Sequence, residues 1–442
     1  LLGAKSWEIR YPLTLALHQE AAEACYLCGQ YARMEELASI AHGQALALLD
    51  EIPLYEAEIK ALFVQNRMTD SIRQGLKTLA RLGIRLPEDP TEEEARRQLE
   101  KTFALLEKIT IEGLPDLPWM TSPENLACMR ILIGIGHPAN LIAPRLFVLI
   151  TSVLAEFSLL HGNSPWSSLA YSAYALVLIG WDDETSYRLG KTAAQLLDPP
   201  QAQAKKATVL DILGCMILPL KEPLRNGILV LEEGLASALE TGDYLGGALN
   251  ALNASILSYF AGEPLETLKH RILNNLNLIS HFRQPFLWNL VAIVLLAVLR
   301  LKGETDSCDK LASFDEEQFI AKAIQANFIP GIVEFFLCKL MNAYLFEEDE
   351  QLLLASAGAS EFMEQFQDTF PPRVFLFYDS LAYLRLCSKE EGTAHSPFLK
   401  RARDNQETLR DLARLAPMNL QHKVDLVDAE IARVVGEEWQ AA

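Results

Sequence analysis

The chain has 442 residues, 50% hydrophobic and 22% charged, which excludes a largely disordered protein and leaves room for several ordinary domains. The 58 acidic residues outnumber the 39 basic ones, and the net charge of −19 excludes a basic footprint for nucleic acid or anionic lipid. The seven cysteines, an odd number, fit unpaired thiols in a reducing compartment, so we expect a cytoplasmic location.

The first elements, within residues 1–84, are predicted to be two helical hairpins. Leucine and alanine recur at spacings of three and four in residues 12–29 and again in 30–49, which indicates amphipathic helices. Gly29 and Asn66 mark turns between such helices. Each hairpin leaves an apolar face uncovered, so we expect neighbouring hairpins to bury it.

A Cys-x-x-Cys pair, Cys25 and Cys28, ends the first of these helices. Zinc would need two more ligands, and neither a second such pair nor a nearby histidine pair is present. A redox pair normally lies between a strand and a helix, a context that is absent here. The pattern therefore favours packing, with both cysteines on the inner face of a helix that ends at Gly29.

Residues 85–121 combine a helix with two proline-rich linkers. Thr91 followed by three glutamates fits a capping box that opens a helix over 92–110. The linkers, residues 84–90 and 111–123, interrupt the helical pattern and act either as a hinge or as a strap across the helices. They divide the chain into N-terminal hairpins (1–84), this linker region (85–121) and a main array (122–442).

The main array repeats an apolar helix, a short joint and an acidic helix start about every forty residues. The joints begin at Gly180, Lys221, Gly262, Gly303, Glu347, Glu390 and Gly436. Serine–proline pairs at Ser122, Ser164 and Ser396 are predicted helix starts. This pattern predicts an all-α protein, an α-solenoid of about ten hairpins like those of tetratricopeptide repeats, wound as a right-handed superhelix.

No motif for chemistry stands out, so we predict no catalytic residue, no cofactor and no metal site. Gly190, Lys191 and Thr192 resemble the end of a phosphate-binding loop, but Thr185 stands where its first glycine is needed. The histidines form no pair four residues apart. The most apolar run, residues 287–299, is too short to cross a bilayer, and we expect no membrane insertion.

Four aromatic residues on or just after a helix predicted over 165–180 form the candidate binding site. They are Trp166, Tyr171, Tyr174 and Trp181. Such residues either pack between neighbouring helices of a solenoid or line a ligand groove with the tyrosine hydroxyls facing water. The sequence leaves both interpretations open.

The helix–turn–helix at Gly29-Gln30-Tyr31 resembles a degenerate tetratricopeptide repeat, and longer stretches resemble one family. These stretches are residues 15–41, 55–86, 117–132, 163–180 and 419–436. The family is the large multidomain bacterial signalling proteins, common in cyanobacteria. They join a serine/threonine kinase, an AAA/STAND-type ATPase, a tetratricopeptide-like helical region, a GAF domain and a histidine kinase. The resemblance lies wholly within the helical region.

The resemblance implies a non-catalytic regulatory segment that binds a protein partner, adjacent domains of its own chain or a signal. Such a segment controls ATPase and kinase domains outside it. One alternative is a small-molecule sensor like the superhelices of maltotriose-responsive transcription activators. Another is an all-α enzyme with a site built across repeats. The absence of an initiator methionine at Leu1 predicts a piece of a longer protein.

Overall fold

A computed structural model describes residues 5–198, 200–304, 311, 314–363, 369–388 and 396–436. These residues form twenty-one α-helices and no β-strand, which confirms the all-α class. Helices that follow each other in the chain pack together as hairpins, as in an α-solenoid. The helices belong to two compact units, residues 1–177 with 188–202 and residues 178–187 with 203–442.

The first unit is built from helices whose buried positions recur at spacings of three and four. Its helices are α1 Ser6–Ile9, α2 Tyr11–Leu27, α3 Tyr31–His42, α4 Leu48–Val64, α5 Met68–Arg81, α6 Glu92–Leu106, α7 Pro123–Ile142, α8 Pro144–His161 and α9 Ser167–Val177. Helix α7 packs on α4, α5 and α8, and buries Cys128, Leu132, Ile135 and Ala139. This spacing turns one apolar face of α7 toward the core.

The second proline-rich linker is a strap, defined here as residues 111–121, that is fixed to the start of the loop after α8. Asn163 donates its backbone N–H to the Pro118 carbonyl (2.8 Å) and accepts from the Met120 N–H (2.7 Å). Its side-chain amide donates to the Leu114 carbonyl (2.7 Å). Of the two roles left open for this linker, the structure therefore selects the strap. Both predicted domain boundaries, after residue 84 and after residue 121, lie inside the first unit.

The second unit is a two-layered array. Its helices are α11 Lys206–Ile212, α12 Leu224–Thr241, α13 Tyr244–Phe260, α14 Leu265–His281, α15 Pro285–Lys302, α16 Glu316–Gln325, α17 Ile329–Leu345, α18 Asp349–Ser360, α19 Pro371–Cys387, α20 Pro397–Leu415 and α21 Pro417–Val435, while α10 Asp183–Gln195 is divided between the units. Consecutive odd-numbered helices from α11 to α21 contact each other and form one layer. Helices α12, α14, α18 and α20 each pair with a member of that layer.

Nine helix ends among the described residues share one backbone geometry. At Gly29 (φ 73°) the chain enters the left-handed region, and the N–H of Gln30 donates to the carbonyl of Cys25 (2.8 Å). This bond, from the second residue after the C-cap Cys28, closes a Schellman motif, which satisfies helix-end carbonyls. Eight other left-handed positions show the same arrangement, in which the N–H of the next residue donates to the carbonyl five residues before it. These positions are Asn66, Gly83, Gly242, Gly262, Arg283, Gly303, Asn327 and Glu347.

The predicted joints at Gly262, Gly303 and Glu347 are confirmed as such turns, and the predicted joint at Glu390 lies outside the described residues. The turns at Gly242, Arg283 and Asn327, which lie between the predicted joints, were missed. Arginine and asparagine at a left-handed position carry weaker sequence signals than glycine does.

Two predicted helices have wrong bounds. The helix opened by Thr91 ends at Leu106 and not at 110, and the helix predicted over 165–180 is α9, which spans Ser167–Val177. The Ser164 hydroxyl accepts from the Trp166 N–H (3.3 Å), and the Ser167 N–H donates to the Ser164 carbonyl (3.0 Å). The serine–proline pair therefore starts a turn that precedes the helix.

Two described helices, Pro144–His161 and Pro285–Lys302, have the length and hydropathy of a membrane span. Within them, 56% and 50% of the residues are buried against the rest of the protein. Core helices of water-soluble proteins meet the same length and hydropathy criteria, so these two helices are weak evidence for a membrane protein.

Candidate functional site

The structure does not bring the four predicted aromatic residues into one groove. Tyr171 and Tyr174 are fully buried in α9, and burial raises the pKa of both phenols. The Tyr174 hydroxyl donates to the Leu99 carbonyl of α6 (2.9 Å), and the Tyr171 hydroxyl donates to the Asn163 side-chain oxygen (3.4 Å). The hydroxyls hold neighbouring helices and do not face water, which corrects the groove interpretation.

The two tryptophans of this set lie in different surroundings. Trp166 is partly buried against the core of the first unit. Trp181 is 49% exposed and belongs to the second unit. Trp166 precedes α9 and Trp181 follows it, so turns place both residues and helix spacing alone did not predict their positions.

The Cys-x-x-Cys pair is a joint, but its predicted burial is wrong for one member. Cys25 is half-buried, whereas Cys28 follows the last residue of α2 and is exposed. The Schellman turn at Gly29 ends the helix before Cys28 reaches the inner face. Among the described residues, no three histidine, cysteine or acidic side chains are grouped to hold a metal ion.

A polar cluster in the first unit joins α3, α4 and α5 around Glu51. Its carboxylate accepts from His42 Nδ1 (2.7 Å), the Tyr55 hydroxyl (2.8 Å) and Arg81 (2.7 Å). Burial opposes the charge on Glu51, but these three donors outweigh it and lower the pKa of the carboxyl to about 2. Each charge here has a partner, so the cluster serves as a structural tie.

A cavity of about 410 Å³ lies between α15 and α17 of the second unit, beside the start of α16. We refer to it as the α15–α17 pocket. Residues of α15 and α17 that recur at helical spacing form its two walls. Its lining includes Ile293, Leu296, Ala297, Arg300, Glu316, Phe335, Cys338, Lys339, Asn342 and Phe346. A second cavity of the same volume, next to Trp288, is more open to solvent.

Two cations stand at this pocket, each against an aromatic ring and a carboxylate. The Arg300 guanidinium lies 5.1 Å from the Phe346 ring centre and pairs with Glu348. The Lys339 ammonium lies 5.5 Å from the Phe335 ring centre and pairs with Glu316. Cation–π contacts and ion pairs of this kind are exchangeable, since a ligand carboxylate or cation can replace either member.

Three buried polar residues of α17, Glu334, Cys338 and Asn342, follow one another at intervals of four and form what we call the polar ladder. The Cys338 thiol donates to Glu334 Oε1 (3.5 Å), and Asn342 donates weakly to the Ala297 carbonyl (3.4 Å). Burial raises the pKa of the Glu334 carboxyl to about 7. The buried Oδ1 of Asn342 has no hydrogen-bond partner among the described residues.

Buried polar atoms are normally paired, so an unpaired acceptor beside a cavity indicates where a donor group belongs. A ligand in the α15–α17 pocket would contact Asn342, Cys338 and two aromatic rings. Sequence reasoning missed the site. Its only signal was a glutamate, a cysteine and an asparagine four residues apart within the apolar run 329–345.

Comparison with known proteins gives no relative in sequence. No protein-family model and no curated protein matches the chain. A solved structure described as a "Circular tandem repeat protein with novel repeat topology and enhanced subunit contact surfaces" aligns with 97% of this chain and 98% of that chain. The identity is 12% and the TM-score is 0.21, a likeness on which no argument about fold or function rests.

Proposed function

We propose that the chain is a non-catalytic, cytoplasmic helical-repeat segment of a larger signalling protein, and that it binds a segment of a protein partner or an adjacent domain. The resemblance of its helical stretches to multidomain kinase–ATPase proteins motivates this function. Binding would favour one curvature of the repeat array and so shift attached domains toward activity.

The observation that carries the proposal is the α15–α17 pocket with its unpaired Asn342 oxygen. A side chain from a partner that inserts into this pocket would be desolvated, as an interface anchor is. The exposed ion pairs at Arg300 and Lys339 would then form the polar rim around that anchor.

Two variants of the purified chain test the site. Asn342→Leu removes the unpaired acceptor and fills the pocket, so a bound partner should be lost while the fold remains. Asn275→Leu is the matched control, because Asn275 is a buried asparagine of the same unit that does not line the pocket. Each variant is fixed to a biosensor surface, and binding of the adjacent domains, supplied as separate proteins, is measured.

Equal capture by the Asn342 variant would overturn the assignment of the site. ATP hydrolysis or phosphate transfer by the purified chain alone would contradict the non-catalytic function.

A second candidate is a small-molecule sensor, and the size of the pocket favours it. A volume of about 410 Å³ lies within the range of small-molecule sites. A thermal-shift screen against metabolites separates the two candidates. Stabilisation of the wild type by a metabolite, abolished by Asn342→Leu, supports the sensor, whereas no shift with any metabolite supports a partner protein.

A further inference from the structure

The side chain of Asn419, near the start of α21, joins the last described helix of the second unit to its first hairpin. Its Oδ1 accepts from the Leu224 N–H (3.1 Å). Its Nδ2 donates to the carbonyls of Glu222 (2.9 Å) and Pro219 (3.2 Å). Between 195 and 200 residues of chain separate the two sides of this contact.

This contact supplies a helix cap from a distant part of the chain. Leu224 is the first residue of α12, and its neighbour Pro223, at the capping position, makes no side-chain cap. The first N–H groups of a helix have no partner inside the helix, so they need an outside acceptor. Asn419 provides that acceptor and is itself only 7% exposed.

The loop that receives Asn419 is held in place by its own unit. The Tyr187 hydroxyl donates to Glu222 (2.5 Å), and Asn226 donates to the other carboxylate oxygen of Glu222 (2.8 Å). Lys221 pairs with Glu184. The carbonyls and the N–H that Asn419 contacts are therefore already oriented, and docking of α21 needs no rearrangement of this loop.

The contact differs from the layer contacts of the second unit. Those contacts join helices that are neighbours or next neighbours in the chain, such as α19 with α21. The contact at Asn419 joins the two ends of the array and closes it. We propose that Asn419 is a clasp, and that breaking it opens the second unit without unfolding its helices.

A clasp made of hydrogen bonds to backbone can open at low cost. Water replaces each bond when the surfaces separate, so the net contribution of each is small compared with the stability of a packed helix. Helix α21 keeps its packing on α19 and α20 in either state. The proposal rests on the contacts of Asn419 alone and does not need a ligand in the α15–α17 pocket.

The test compares Asn419→Ala with Asn275→Ala in the full chain. Asn275 is a matched control, because it is equally buried (6% exposed) but its amide bridges only Ala251 and Ser255 on a neighbouring helix. Hydrogen exchange of peptides covering residues 219–228 reports the Leu224 amide. We expect about tenfold faster exchange there for Asn419→Ala, an increased radius of gyration by X-ray scattering, and unchanged helical content.

Asn419→Asp is the second variant, in case the alanine variant folds poorly. The carboxylate keeps the acceptor for Leu224 but places a charged oxygen against the carbonyls of Pro219 and Glu222, so we expect an increase in exchange at least as large as that of the alanine variant. Unchanged exchange at 219–228 in both Asn419 variants would overturn the clasp. The same increase in the Asn275 control would also overturn it, because loss of any buried amide would then suffice.

Discussion

Each of the two compact units contains a buried glutamate, and the pKa values of the two carboxyl groups are shifted in opposite directions. Glu51 in the first unit is 8% exposed and has the guanidinium of Arg81, the ring of His42 and the hydroxyl of Tyr55 around it, and its pKa falls to about 2. Glu334 in the second unit is 3% exposed and has the Cys338 thiol as its hydrogen-bond donor, and its pKa rises to about 7.

The difference shows that burial alone does not decide what a carboxyl group does. Desolvation disfavours the charge at both sites, and only the donors around Glu51 reverse that effect. In the first unit, the cluster around Glu51 and the strap at Asn163 tie neighbouring elements together. In the second unit, the polar ladder beside the α15–α17 pocket has an unsatisfied acceptor, the Asn342 Oδ1.

The largest expected effect comes from breaking the strap of the first unit with Gly162→Ala. At Gly162 φ is 92°, and an added Cβ would lie 2.1 Å from the Pro118 carbonyl oxygen. The strap would have to move, at a cost of more than about 3 kcal/mol in the free energy of unfolding. Urea denaturation followed by circular dichroism measures this.

Gly83→Ala is the matched control, since Gly83 has φ 94° but no atom within 4 Å of an added Cβ. It should cost about 1 kcal/mol, the penalty of the backbone conformation alone. Similar costs for both variants would mean that the strap adjusts freely and does not tie the first unit together.

Glu334→Gln should stabilise the protein at pH 8. The folded-state pKa of about 7 lies above the ordinary value of 4.5, so ionisation of Glu334 destabilises the fold as pH rises from about 4.5 through 7. The amide removes this penalty, and we expect a gain of about 3 kcal/mol at pH 8 that disappears near pH 4.5. Denaturation at both pH values measures the gain.

Asp379→Asn is the control for that variant. Asp379 is fully buried but accepts from Arg401 (2.8 Å) and Asn405 (2.7 Å), so its amide variant should lose stability at pH 8. A loss of stability at pH 8 for Glu334→Gln as well would show that Glu334 has a strong partner after all.

Glu51→Gln should destabilise the first unit by about 2 kcal/mol at pH 6, because it leaves the Arg81 guanidinium without its closest carboxylate. Glu36→Gln, which alters the exposed ion pair with Arg33, should change stability by less than about 0.5 kcal/mol. If chemical denaturation gave both variants the same change in the free energy of unfolding, Glu51 would not stabilise the first unit more than an exposed ion pair does.

The pH dependence of this cluster has a defined sign. Glu51 has a folded-state pKa below its ordinary value of 4.5, so its contribution is complete above about pH 4.5 and is lost as pH falls toward about 2. Burial opposes protonation of His42, but bonds to Glu58 and Glu51 raise its pKa above 6.5. The His42 contribution is complete below pH 6.5 and is lost as pH rises through the raised value.

The smallest expected effect is that of Cys28→Ala, which should change the unfolding free energy by less than about 0.5 kcal/mol because the thiol is exposed. Cys338→Ala removes the thiol that donates to Glu334 and leaves a small cavity, and we expect it to cost about 1–2 kcal/mol. Metal analysis of the Cys28 variant and the wild type should give the same content, and zinc bound by the wild type alone would restore a metal site.

The sequence by itself determined the helices, their hairpin pairing and several of the chain turns. Apolar spacing of three and four is a local property, and a glycine at a helix end, such as Gly29 or Gly262, marks a left-handed turn regardless of distant residues. The capping box at Thr91 was predicted for the same reason. Turns at Arg283 and Asn327 were missed because these residues do not require that backbone conformation.

Only the tertiary structure decided where polar side chains end up. Tyr171 and Tyr174 satisfy their hydroxyls inside the core, through groups that lie far apart in the chain or on other elements. Asn419 meets Leu224 across 195 residues, and no local pattern encodes that distance. The sequence fixes which faces of its helices are apolar, but partners for buried polar atoms depend on how those faces assemble.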